Sequence, residues 1–323
     1  MPGTNRNTHD DKFYTSADTA NQLFGMIASM RPMRSFRRII EPSAGNGAIL
    51  KPLKARLDAD SWDGELLAYD LMPEDDGIER MDWLAHGGDA DADKPDYNGG
   101  FIDKKALWDD GRDTLVIGNP PFGRNGSLAL RFIDEAASFD ASMIAFILPK
   151  SFMKASMQRR IHGKYAIDAC AEVSDDRYIL PDGGFRRVPT CILILTRQDA
   201  SRSDDAGSAA MSASSAVGLA DRMPFTFCSG DGIDGADWMI VRVGGSAGLL
   251  KPMNEMTGTN RKYNYFIRMK ADAAVSNADM PALMARAFTH LKGIRDMTAG
   301  PRSVSKTELM EAVDAALRSE ETI

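Results

Sequence analysis

The residues best suited to chemistry lie in V-I-G-N-P-P-F at 116–122, an apolar run that ends in an amide, two prolines and an aromatic. Consecutive prolines fix the backbone just beyond a strand and continue neither a ladder nor a helix. Pro120 and Pro121 therefore hold Asn119 and the Pro120 carbonyl facing outward from the strand's carboxyl end. An amide oxygen beside a free main-chain carbonyl is a pair of acceptors, the complement of an NH2 group with its two donors. Phe122 is placed to stack on the ring that bears such an amine.

A second constellation is I-I-E-P-S-A-G-N-G at 39–47. It puts Glu41 at a strand end and Gly45 and Gly47 in a turn that opens a helix, where backbone can approach a ligand closely. Leu50 stands where the dinucleotide fingerprint has its third Gly, and no Gly-Lys-Ser/Thr follows, so neither that fingerprint nor a P-loop is present. Asp70 closes the next expected strand, the place from which an acidic residue accepts ribose hydroxyls. Asp82, after a further expected strand, is placed to accept from an adenine amine. Together these residues outline a site for an adenosine-bearing cofactor without a phosphate cradle.

Elements must carry these residues to one edge. The first 200 residues alternate short β-rich runs with helix-like stretches, the pattern of a doubly wound α/β sheet. Strands are expected at 36–40, 65–70, 114–119, 143–149 and 189–196. Helices are expected at 16–30 behind a Ser16 cap, from the Gly turn to about 57, at 126–139 and at 151–164. The Gly- and Asp-rich stretch 86–112 reads as a surface insertion. Residues 199–222 are Ser, Ala, Gly and Asp with few large apolar side chains, a linker composition. Beyond it, strands are expected at 225–228, 238–243 and 263–269 and helices at 279–297 and 306–318, the last behind the capping-box spacing of Ser305 and Glu308. The division that follows is 1–198, 199–222 and 223–323, a Rossmann-like sheet and a smaller C-terminal α+β region.

On these residues the chain resembles the class I S-adenosylmethionine-dependent methyltransferases, and in particular the amino-group DNA methyltransferases that modify adenine N6. The cofactor motif matches at Glu41, Pro42, Gly45, Asn46 and Gly47, and the catalytic D/N-P-P-Y/F motif at Asn119, Pro120, Pro121 and Phe122. Phe13, Tyr14 and Thr15 resemble the family's N-terminal F-Y-T-P segment, with Ser16 in place of the Pro. N-P-P-F-G-R-N-G from 119, with F-I-L-P-K-S-F at 146–152, resembles a phage and viral branch, and the motif order resembles the gamma arrangement. The resemblance covers about residues 12–197. It implies that Thr15, Glu41, Ser43, Ala44 and Gly45 border the methionine end of S-adenosylmethionine, and that Tyr14, Pro42, Gly47 and Asn119 also contact the cofactor. Asp70 would then hold its ribose, and Asp82 with Trp83 its adenine. It further implies that the target base leaves the duplex stack to reach Asn119.

Charge at first argues against a nucleic-acid partner. The 323 residues carry 39 Lys and Arg against 46 Asp and Glu, a net charge of −7. The balance is uneven: residues 58–113 sum to −13 and the remainder to +6. The run 150–164 has five basic and no acidic side chains. It starts directly after an expected strand, on the same carboxyl edge as Asn119. Arg124, Lys150 and Lys154 are accordingly expected on phosphates, and Arg242 opens a Gly-rich loop that either approaches a partner or simply joins two strands. Affinity for DNA should then fall steeply with salt.

No apolar run approaches the roughly 20 residues of a membrane span, and the polar first residues have no signal-peptide core. Cys170, Cys191 and Cys228 form no C-x-x-C, and His9, His86, His162 and His290 have no ligand spacing. A cytoplasmic enzyme without a metal or disulfide is therefore expected. The sequence thus reads as a DNA adenine N6-methyltransferase of phage or restriction-modification type. Its rivals are a methyltransferase for an RNA base or a glutamine amide, whose NH2 suits the same acceptors, and a non-catalytic subunit of a modification complex.

Overall fold

The computed structural model describes residues 14–85, 108, 110–180, 183–198, 213–255, 261–298 and 301–319. Phe13 and most of the expected insertion lie outside the described residues. The chain divides into two units, one of residues 1–153 and 160–208, the other of residues 154–159 and 209–323.

The first unit opens with α1 (Ala17–Met30), capped as its sequence demands by the Ser16 hydroxyl on the Thr19 N–H at 3.2 Å. There follow β1 (Arg38–Glu41), α2 (Leu50–Ala59), β2 (Glu65–Asp70), β3 (Glu79–Arg80), β4 (Thr114–Gly118), α3 (Ser127–Ser138) and β5 (Met143–Pro149). After a gap come β6 (Tyr165–Glu172), a small hairpin of β7 (Arg177–Ile179) and β8 (Phe185–Arg187), and β9 (Thr190–Arg197). Seven strands form one sheet in the order β3-β2-β1-β4-β5-β9-β6. The strands from β3 to β5 run parallel, and β9 lies antiparallel between β5 and β6.

Both faces are covered, which is why β4, β5 and most of β9 are apolar at nearly every position. Ile39, Leu115, Ile117, Met143, Ala145, Ile147, Ile192 and Ile194 form one core with Leu23, Phe24 and Ile27 of α1 and Leu53 and Leu57 of α2. The alternate residues, among them Val116, Ile144 and Phe146, are equally buried on the opposite face. This is a doubly wound, Rossmann-like α/β sheet. Its order reverses between β1 and β4, because β1 leads to β2 on one side and β4 lies on the other. Ligands of such sheets bind at the carboxyl ends flanking that switch point.

The expected helix over 151–164 is not formed. A 3-10 turn at Lys150–Met153 and one helical turn, α4 (Ala155–Gln158), stand there instead. β6, β7, β8 and a short β12 (Leu250–Pro252) appear where no strand was expected. In the second unit α4 is joined by α5 (Ala213–Arg222), which occupies the only described part of the expected linker. A four-stranded antiparallel sheet follows, ordered β10 (Phe225–Cys228), β13 (Asn264–Met269), β11 (Trp238–Val241) and β12. Its Phe225, Ile240 and Ile267 pack on α6 (Met280–Ile294) and α7 (Lys306–Arg318). The Ser305–Glu308 capping box is present in both directions. Among the described residues no helix is long and apolar enough to cross a membrane.

Candidate active site

Four pieces of the first unit converge at the switch point. Glu41 ends β1, Asp70 ends β2, Asn119 follows β4, and Thr15 precedes α1. The ends of β1 and β4 touch: a Cβ added at Gly118 would stand 3.6 Å from the Pro42 ring, 3.7 Å from Glu41 Cγ and 3.7 Å from Ser43 Oγ. Thr15 is fixed on both sides. Tyr14 exchanges two main-chain hydrogen bonds with Ile179 of β7, at 3.0 and 3.2 Å, and Ser16 is the helix cap. Between these anchors the Thr15 hydroxyl, almost fully buried, accepts from Asn119 Nδ2 at 3.2 Å.

The turn after β1 is pinned by Asp70. Its Oδ2 accepts from the Gly45 N–H and its Oδ1 from the Met72 N–H, both at 2.8 Å. Two carboxylate oxygens offer about four acceptor sites, so two remain for hydroxyls. Gly45 has φ +55 and Gly47 φ +78, conformations that favour glycine. The Gly45 carbonyl accepts from the Glu74 N–H, and the Tyr14 hydroxyl donates to Glu74 Oε2 at 2.7 Å. Burial and this acidic partner push the Tyr14 hydroxyl up to about 12.

Glu41 is 1 % exposed, and its Oε2 meets no hydrogen-bond partner among the described residues. Ser43 Oγ is also buried without one. A buried polar atom left so costs about 1–3 kcal/mol. Burial first, and the charge of Asp70 second, push the Glu41 carboxyl up to about 8. The wall between β1 and β4 therefore carries hydrogen-bonding capacity that the protein does not itself use.

Other expected site residues fall out differently. Pro42, Ala44 and Gly47 are buried in the turn, and Pro120 is buried beside exposed Pro121. Phe122 is half-buried against the main core, and its carbonyl accepts from the Leu128 and Ala129 N–H groups at the start of α3. Asp82 is exposed and accepts from the Leu84 N–H in a local turn. Trp83 is not a wall of the site: it is 2 % exposed, stacked on Trp108 at 5.4 Å and on Phe132 at 6.4 Å, with Phe139 against its edge. An indole gains more by burying its whole surface among three aromatic side chains than by offering one face to solvent.

The basic residues do not converge either. Arg124 is exposed in a tight loop, whereas Lys150 is paired with Glu172 at 2.6 Å. Lys154, expected on a phosphate, is buried in the second unit, where its Nζ donates to the Ser303 carbonyl at 3.0 Å and meets Glu308 at 3.4 Å. A cation so enclosed is not presented to a partner. Arg242 is exposed in the second unit, with its guanidinium over the Tyr265 ring. The Gly-rich loop after it joins β11 to β12, and Arg295 Nη1 holds its Gly245 and Ala247 carbonyls. Two contributors escaped the sequence reading. Glu74 lies 60 residues from Tyr14, with no spacing to reveal the pair. Gly123 was legible in principle from G-R-N-G: its φ is +64, and a Cβ there would stand 2.6 Å from Leu128 Cβ.

Fold and site define a Rossmann-like α/β protein with buried polar groups gathered at its switch point. Among the described residues no group of three or more ligating side chains could hold a metal ion. No protein family and no curated protein matches the sequence. Solved structures similar to it include a protein from Pyrococcus horikoshii described as an RNA methyltransferase, with 14 % identity and a TM-score of 0.40 over 62 % of this chain and 92 % of that one. Another, from Listeria monocytogenes, is described as a class I S-adenosylmethionine-dependent methyltransferase, with 11 % identity and a TM-score of 0.38 over 58 % of this chain and 61 % of that one. A type I restriction-modification methyltransferase subunit from Streptococcus thermophilus has 16 % identity and a TM-score of 0.35 over 58 % of this chain and 45 % of its own. At such distance the fold rests on its own strand order rather than on these likenesses.

Proposed function

We propose that this chain transfers a methyl group from S-adenosylmethionine to the exocyclic N6 of adenine in DNA. The observation that carries the reading is Asn119 of N-P-P-F after β4, beside the end of β1, whose Glu41 Oε2 and Ser43 Oγ are buried without partners. Those orphaned atoms suit a cofactor with a cationic, hydrogen-bonding amino-acid end. Thr15, Glu41, Ser43 and the main chain at Ala44 and Gly45 would hold that end, and the remaining acceptor sites of Asp70 would hold ribose hydroxyls. The cofactor supplies a methyl group on a sulfonium, an electrophile open to in-line attack.

The chain's own residues prepare the nucleophile. Adenine N6 is weak because its lone pair is delocalised into the ring. Acceptance of its two N–H bonds by the Asn119 amide oxygen and the Pro120 carbonyl favours a pyramidal nitrogen with the lone pair localised outward. Catalysis is then positioning and electrostatics. Phe122 would stack on the base after it leaves the duplex. Arg124 and Arg242 are the exposed cations proposed for DNA contact, and residues 223–323 the region proposed to read the target.

The test is transfer of labelled methyl to DNA, RNA and protein, followed by identification of the modified nucleoside or side chain. The expected product is N6-methyladenine in DNA from wild type and none from Asn119→Ala. Label in RNA or protein alone would move the substrate to a rival amine. Failure to bind the cofactor in calorimetry would leave only the non-catalytic reading.

A further inference from the structure

We infer that Thr15 is a positioning residue for the Asn119 amide, in addition to its place among the proposed cofactor contacts; this rests on the methyl-transfer reading above. The two ends of an asparagine amide have almost the same shape and opposite roles, one a double donor and the other an acceptor. Pro120 fixes the Asn119 backbone, yet the terminal torsion of the side chain is broad and roughly two-fold, so the backbone does not choose the end. Turned the wrong way, the amide would set its NH2 against the NH2 of the substrate, donor against donor.

Thr15 holds the amide in one of its two settings: a hydroxyl can accept from Nδ2 or donate to Oδ1, and here it accepts. Its Oγ1 takes the Asn119 Nδ2 at 3.2 Å, and in this arrangement Oδ1 is the end left for an incoming amine. The contact spans 104 residues and is held by unusually firm anchors on the threonine side: the two-bond bridge from Tyr14 to Ile179 and the Ser16 cap of α1. Thr15 lies inside the protein, so water cannot readily replace its hydroxyl as the acceptor. Its methyl group plays no part in the bond. Serine can therefore do the same work, whereas valine, of equal shape, cannot accept. With valine the productive orientation leaves a buried amide donor without an acceptor.

The experiment compares wild type, Thr15→Val and Thr15→Ser for kcat, for KM of cofactor and of DNA, and for Tm. A second, activity-free arm records the side-chain amide signals of Asn119 in 15N-asparagine-labelled protein, assigned by their loss in Asn119→Asp. The expected result for Thr15→Val is a fall in kcat of roughly ten- to a hundredfold beyond any rise in cofactor KM, with the KM of DNA within about twofold, and faster exchange of the Asn119 amide protons. Thr15→Ser should recover kcat to within about threefold. A rise in cofactor KM with kcat unchanged would overturn the inference, because Thr15 would then act on the cofactor alone. Unchanged Asn119 signals in Thr15→Val would also overturn it, even if that variant loses activity through poor folding. If wild type transfers no methyl group the functional reading fails instead, and the spectroscopic arm still decides whether Thr15 holds the amide.

Discussion

At the scale of single residues, Glu41 makes the sharpest prediction. Its carboxyl titrates near 8 in the folded chain, against about 4.5 when exposed, so the native state holds the extra proton between those values. Stability from this group is present in full below about pH 4.5 and is lost as pH rises through about 8. Tm measured across that window should fall more in wild type than in Glu41→Gln, and parallel curves would dismiss the effect. A cationic ligand would favour the ionised form, so its binding should release a proton below pH 8, visible as a buffer-dependent calorimetric heat. The places of Asn119 and Glu41 at strand ends were legible in the sequence because prolines and glycines announce rigid or special backbone on either side of them. Trp83 was not, because a tryptophan beside an aspartate reads alike whether it faces a ligand or a core. Its neighbours Trp108, Phe132 and Phe139 become neighbours only through the fold.

At the scale of elements, continuous apolar runs were the readable signal. β2 and β5 lie where expected and β4 and β9 differ by a residue or so, because buried strands need apolar side chains on both faces. The edge strand β6 did not show: only one of its eight residues is buried, and a bulge between Ile167 and Ala169 breaks its alternation. The basic run 150–164 has helix-forming residues, but tertiary packing overrides that propensity and leaves one turn. The loop from Asn119 to α3 depends on backbone that few residues can adopt, since Gly123, Asn125 and Gly126 all have positive φ. Gly123→Ala should cost about 2–4 kcal/mol, from left-handed strain plus the forced displacement of Leu128. Chemical denaturation reads that cost. A loss under 0.5 kcal/mol would mean that the loop is not built as described.

For the whole molecule, the basic run 150–164 proved a poor guide to an exposed basic edge, because several of its cations are internally paired. Lys150 pairs with Glu172, Arg159 with Glu311, and Lys154 with Glu308. The sequence boundary near residue 199 also misses that residues 154–159 belong to the C-terminal unit. They are held there by Glu308, which accepts from Lys154, from the Ser156 hydroxyl at 2.8 Å and from the Ser305 N–H at 2.9 Å. Nothing local in K-A-S-M-Q-R could announce a partner so distant. Glu308→Ala should destabilise by about 3–5 kcal/mol, since it strands a buried lysine. It should also speed hydrogen exchange at 154–159, and native-like protection there would contradict the assignment.

Glu308 also sets a clock. It lies 154 residues beyond Lys154, and a ribosome adds roughly 5–20 residues per second. The short segment after β5 therefore emerges and waits roughly 8–30 s before its partner exists. Throughout that interval a lysine destined for the interior remains hydrated, and the second unit cannot close around it until Glu308 has been made.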